Sequence, residues 1–225
     1  TKKKSGFRIL KRISHHRESF FGTPFEVINI PKPNNTAYTA QALRNHTDLP
    51  YFEYAPGYQF LHCLVNNATG GKSSVVDGFA VANYLRKKEK KVYKLLTETY
   101  VKFKDTDYTQ KAIRVLHSPI ITLTKDNDFN DIRFSMAAMG TIDVDPKKMK
   151  KFYDAYQFFA SLLQNNKFKI DFRLEAGDIF CFNNRRVLHG RTEFDPNSGN
   201  RHLQGYYIER DEIIGRLNYF NNIKV

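Results

Sequence analysis

A chain of 225 residues with 41% hydrophobic and 26% charged side chains can bury a real core, and that composition excludes a disordered chain. Lysine and arginine number 36 against 23 acidic residues, and the net charge of +13 suits an anionic partner such as nucleic acid, an acidic surface or a small carboxylate. Two cysteines, Cys63 and Cys181, build no disulfide scaffold and favour a reducing compartment, and no apolar run reaches the ~18 residues of a membrane-spanning helix.

Residues 1–18 are basic and poorly periodic and read as a solvated lead-in, with an anion-binding arm as the functional alternative. The chain opens on Thr1 and not Met, so a trimmed N-terminus is expected. Phe25 to Ile30 read as a short strand that Pro31 and Pro33 close. Asn34 to Tyr38 are turn-rich, and Gln59 to Val65 read as a buried strand. After the Gly70-Gly71 turn a strand resumes at Ser74, and Asp77 caps a helix predicted from Gly78 to about Arg86. A second helical piece centres on Val92, Leu95 and Leu96. Tyr100 to Phe103, Pro119 to Leu123 and Ile132 to Phe134 are predicted strands. Asp145-Pro146 opens the clearest helix, whose Met149, Phe152, Tyr156, Phe159, Ala160 and Leu163 form one apolar stripe read as core. Phe168 to Leu174 alternate strictly, and Ile179 to Phe182 and His202 to Ile208 complete the strands. Many short strands and a few helices make an α+β, mainly β, sandwich or barrel, and without an internal repeat or long linker residues 1–225 read as one domain.

His46-Thr47-Asp48 places an imidazole and a carboxylate at i and i+2, which an extended backbone turns to the same side about 7 Å apart at Cα. Alone, His-x-Asp is a weak signal. His189 ends an apolar strand beside Gly190 and supplies a second imidazole. Two histidines and one carboxylate form the facial donor set that favours non-haem Fe(II) and leaves coordination positions open for a 2-oxo acid and O2. Arg201 offers a forked guanidinium for the far carboxylate of such an acid, and Arg191, two residues after His189, is its competitor. His62 and His202 lie near these motifs and read as structural.

The segments Asn34-Asn35-Thr36-Ala37-Tyr38, His46-Thr47-Asp48, Leu61-His62-Cys63, Gly70-Gly71-Lys72-Ser73, Val76-Asp77-Gly78, Leu188-His189-Gly190-Arg191 and Arg201-His202-Leu203-Gln204-Gly205 stand in order. In this the chain resembles, from about Phe21 to Leu217, the γ-butyrobetaine and trimethyllysine dioxygenase family of Fe(II)/2-oxoglutarate oxygenases, relatives of taurine dioxygenase. The resemblance implies a double-stranded β-helix (jelly-roll) core with flanking helices, and iron held by His46, Asp48 and His189. It also implies 2-oxoglutarate held by Arg201 and Ser73, O2 as cosubstrate and ascorbate as an accessory. The N-terminal zinc-binding domain of many members is not expected within these residues, whose two cysteines could not build it.

The activity so implied is hydroxylation of a small trimethylammonium compound, γ-butyrobetaine to L-carnitine first and trimethyllysine as the alternative, with a different small substrate also open. Phe21, Phe25, Tyr38 and Tyr207 match the cation-binding aromatic cage, and Asn35, beside it, favours the butyrobetaine type. Phe25 stands where the family has Trp, Ser135-Met136 where it has two asparagines, and Asn183-Asn184-Arg185-Arg186 where it has Asp-Asn-Trp-Arg. A quaternary ammonium small molecule is thus the expected partner, with no membrane and no nucleic acid, although charge and 13 tyrosines leave a base-stacking module as the competing class. A homodimer is further allowed. The cytoplasm is the expected compartment and the mitochondrial matrix its alternative.

Overall fold

The computed structural model of the chain describes residues 5–31 and 36–222. In chain order the elements are α1 (Ser5–Ile13), β1 (His16–Arg17), β2 (Phe25–Ile28), β3 (Leu43–His46), β4 (Tyr58–Asn66) and β5 (Ser73–Asp77). There follow α2 (Gly78–Lys88), α3 (Lys90–Glu98), β6 (Val101–Asp107), β7 (Ala112–Ser118), β8 (Ile121–Leu123), β9 (Phe129–Ile132) and α4 (Pro146–Leu162). The chain closes with β10 (Lys169–Phe172), β11 (Ile179–Asn183), β12 (Val187–Arg191), β13 (Arg201–Ile208) and α5 (Arg210–Asn222).

Two antiparallel sheets build the centre. One runs β1-β13-β4-β11, with β2 also paired to β13, and the other runs β10-β5-β12-β3. From β2 to β5, and again from β10 to β13, each successive strand crosses to the opposite sheet. This winding is the jelly roll that the sequence resemblance implied. Between the two windings sits an insertion of α2, α3, the β6-β7 and β8-β9 hairpins and α4. Its apolar faces form the largest core, where Val81, Leu85, Leu96, Phe103, Phe152 and Phe159 close over Val76 and Leu188 of the second sheet.

The local signals work as read. Asp77 Oδ1 accepts the backbone N–H groups of Phe79 and Ala80 and so starts α2. Asp145 caps α4 ahead of Pro146, and the predicted stripe of that helix faces the core. Three expectations change. Within the expected lead-in, Ser5–Ile13 is a helix, because Phe7, Leu10 and Ile13 share one face and pack on Phe60, Tyr206 and Ile208. The strand expected over Ile132 to Phe134 ends at Ile132. There the Arg133 guanidinium turns inward to the carbonyls of Pro50, Phe52 and Glu53, and Phe134 bonds to Thr47. Finally, β7 and α5 are elements that the sequence reading did not separate out, and α5 has no buried residue. Among the described residues no helix is long and apolar enough to cross a membrane.

Candidate metal centre

β12 lies between β5 and β3, and its register sets His189 directly opposite His46. Gly190 makes the approach possible, since a Cβ there would fall 2.5 Å from the Leu43 carbonyl oxygen. The two imidazole rings stand 4.4 Å apart between centroids. Asp48 completes the group, with Oδ1 3.1 Å from His46 Nε2 and 3.7 Å from His189 Nε2. One donor atom from each residue therefore lies within 4.8 Å of the other two, a spacing that one metal ion can bridge. Thr47 points the opposite way and is 2% exposed. Its N–H donates to the Phe134 carbonyl at 2.8 Å, and its hydroxyl accepts the Phe134 N–H at 3.0 Å. The middle residue of His-x-Asp thus anchors the strand while its neighbours present donors.

Further contacts fix those donors. His46 Nδ1 lies 2.9 Å from the Arg44 carbonyl, which can only accept, so Nδ1 carries a proton and Nε2 is the atom turned toward Asp48. Tyr207 Oη donates to Asp48 Oδ2 at 2.6 Å. The Asn184 side chain clasps the Asp48 backbone, accepting its N–H at 2.8 Å and donating to its carbonyl at 3.1 Å. Burial drives the His189 imidazole down to about 4, so at neutral pH it is an uncharged donor. For Asp48 burial acts upward, but His189, His46 and the Tyr207 hydroxyl outweigh it and keep the carboxylate ionised well below its ordinary range. Two imidazoles and one carboxylate are a donor set for a divalent first-row metal.

A cavity of about 850 Å³ opens on His46 and Asp48. Phe21, Phe25, Tyr38 and Tyr207 all line it, as do Ser135 and Met136. The Phe25 ring lies 4.9 Å from that of Tyr207 and 6.3 Å from that of Phe21. Phe25 rests on Gly205, where a Cβ would stand 2.0 Å from ring atoms. Asn35 lies outside the described residues. Ser73 and Arg201 are buried and do not line the cavity. Arg201 is 6% exposed, its Nε donates to the Gly71 carbonyl at 3.3 Å, and among the described residues it has no carboxylate partner. Burial, with Arg191 nearby, lowers its guanidinium to about 10. Arg191 is engaged differently, donating to the Thr39 and Gln41 carbonyls at 2.7 Å each. It fastens the segment over the cavity to the metal-donor strand.

Residues 4–207 match the family described as taurine catabolism dioxygenase TauD, TfdA family. The chain belongs to this family. It is 44% identical over 209 residues to the γ-butyrobetaine dioxygenase of Pseudomonas sp. (strain AK-1), covering 93% of this chain and 54% of that protein. To the human γ-butyrobetaine dioxygenase it is 35% identical over 211 residues, again covering 92% of this chain and 54% of the relative. The chain thus spans about half the length of the curated relatives it matches. The solved structure of asparagine oxygenase superposes with a TM-score of 0.69 at 18% identity, covering 88% of this chain and 60% of that one. That likeness bears on the fold alone.

In this TauD-family chain, three contacts around the donors escaped sequence reading: the Tyr207 hydroxyl on Asp48, the Asn184 clasp and the Arg191 fastening. Tyr207 had a signal, but as an aromatic face. Asn184 stands directly before Arg185-Arg186 and offered none, because its partner lies 136 residues away. His62 and His202 stay outside the donor group. His202 bonds to Glu26, and His62 is buried beneath α1 against Gly6.

Proposed function

We propose that this chain hydroxylates a small trimethylammonium compound, γ-butyrobetaine in the first place, in a reaction that depends on Fe(II), 2-oxoglutarate and O2. The observation that carries this reading is the meeting of His46, Asp48 and His189, of which His46 and Asp48 open on a cavity with an aromatic wall. The donor set fits Fe(II), because two imidazole nitrogens and one carboxylate oxygen leave coordination positions free. The buried guanidinium of Arg201, without a carboxylate partner among the described residues, fits the distal carboxylate of 2-oxoglutarate. Ser73, also buried and paired across the sheet with Arg191, adds a hydroxyl on the same side of the fold.

Bound together, iron and 2-oxoglutarate would supply the oxidation, in which 2-oxoglutarate loses CO2 and takes one oxygen atom of O2 to become succinate while the other atom enters a substrate C–H bond. The protein residues bind and orient. Tyr207 holds Asp48 Oδ2, which leaves Oδ1 facing the histidines. Arg191 is committed to backbone carbonyls, which favours Arg201 for the cosubstrate. A quaternary ammonium cannot donate a hydrogen bond, so the ring faces of Phe21, Phe25, Tyr38 and Tyr207 are the means to hold it out of water. Asn35 belongs to the same proposal. The likeness to two γ-butyrobetaine dioxygenases supports that substrate, with trimethyllysine as the alternative and ascorbate as an accessory reductant. Two free thiols, Cys63 and Cys181, support a reducing compartment, the cytoplasm or the mitochondrial matrix.

The test is anaerobic titration with Fe(II) and 2-oxoglutarate, followed by succinate release across quaternary ammonium compounds. His46→Ala and His189→Ala should each lose iron and turnover together. Full turnover with iron retained in either variant overturns the assignment. Faster succinate release with trimethyllysine than with γ-butyrobetaine moves the substrate to the alternative.

A further inference from the structure

Five charged side chains line the cavity: Glu26, Arg44, Asp48, Lys104 and Asp105. The three carboxylates are all engaged. Asp48 faces the histidines and Tyr207, Glu26 accepts from His202 and Gln204, and Asp105 accepts from Arg114 at 2.9 Å. The two cations are not, for among the described residues neither Arg44 nor Lys104 has a carboxylate within ion-pair distance. The Arg44 guanidinium donates only to the Met136 thioether, at 3.9 Å, and thioether sulfur is a weak acceptor.

Position gives this free charge a direction. Arg44 and His46 are i and i+2 on β3, so their side chains leave the same face about 7 Å apart at Cα. Asp48 lies two residues further on and carries Tyr207, where the aromatic wall of Tyr207, Phe25 and Phe21 begins. The metal donors therefore lie between a guanidinium and an aromatic wall. We infer that Arg44 binds the anionic end of the substrate, across the metal donors from the aromatic wall. This rests on the proposed function and adds to it a residue that selects for the anionic end. Arg201 does not line the cavity, so the two arginines serve two different anions. Lys104 adds positive potential to the same cavity.

The test is anaerobic calorimetric titration of the chain loaded with Fe(II) and 2-oxoglutarate, using three probes. These are γ-butyrobetaine, n-butyltrimethylammonium, which lacks the carboxylate, and 5,5-dimethylhexanoate, which has tert-butyl in place of the cation. Arg44→Gln should weaken both carboxylate probes roughly ten-fold and leave n-butyltrimethylammonium unchanged. Arg44→Lys, which keeps the charge and loses the fork, should recover part of that loss. Equal weakening of all three probes, or none for the carboxylates, overturns the inference. Equal binding of γ-butyrobetaine and 5,5-dimethylhexanoate, with both still dependent on Arg44, supports the anion site and overturns the trimethylammonium reading instead. Failure of the unaltered chain to bind any probe overturns both.

Discussion

Tyr207 presents two surfaces, a ring face to the cavity and a hydroxyl to Asp48 Oδ2. Tyr207→Phe separates them. Loss of a partner to a metal-binding carboxylate weakens metal binding or activity by about 10- to 100-fold. Fe(II) titration of Tyr207→Phe should fall in that range while trimethylammonium binding changes little, because the ring remains. Equal iron affinity in the two chains would leave the hydroxyl without that role. Arg201→Lys tests the role proposed for that residue in holding 2-oxoglutarate. It should raise the 2-oxoglutarate requirement strongly with iron affinity nearly intact, since an ammonium keeps the charge but not the two parallel donors. At this scale the sequence made His46 and Asp48 legible, because a two-residue spacing on an extended backbone already fixes a shared side. It did not make legible what holds them. Tyr207 is 159 residues from Asp48, and no local pattern encodes such a contact.

Among the elements, α1 shows why periodicity failed. Its core-facing side is only Gly6, Phe7, Leu10 and Ile13, of which Gly6 and Leu10 are buried, and the basic residues between them mask the period in a window that short. Leu10 is 0% exposed, so Leu10→Ala should cost about 2–5 kcal/mol in urea unfolding, whereas a solvated lead-in would give a change near zero. The α2 start was legible because a cap is a local device. Asp77→Ala should cost about 1 kcal/mol. Burial acts to raise the Asp77 carboxyl, but Arg186 and the N–H groups of Ala80 and Phe79 hold it below its ordinary value. Its stabilisation is therefore full above the unfolded carboxyl value of about 3.9 and fades as pH falls through the lower folded one. Asp77→Asn keeps a cap but lacks that acid dependence, which unfolding curves at several pH values will detect.

For the whole molecule, strand count and turn spacing pointed to a sandwich or barrel, and the resemblance narrowed it to a jelly roll. Neither could foretell that the largest apolar cluster would sit in the insertion and not between the two sheets. That placement follows from composition, because between the sheets the strands carry Gln59, Ser73, His189, Arg191 and Arg201, all buried. The sandwich interior is given over to polar groups that need one another or a ligand, and the insertion supplies the apolar burial that the sheets forgo.

The pairing of His46 with His189 has a consequence for how the chain reaches its native state. The two donors come from opposite windings of the jelly roll, with the whole insertion between them, so their meeting is a contact of high sequence separation that carries a large loop-closure cost. Only the finished topology holds the three donors together, and an ion that binds them discriminates sharply between native and unfolded chains. Mass action then turns metal affinity into thermal resistance. At a free metal concentration one hundred times Kd the gain is about 2.7 kcal/mol, or roughly 5–10 °C in Tm for a chain of this size. His189→Ala should melt at one temperature with or without the ion, which makes a melting curve a measure of the centre that needs no turnover.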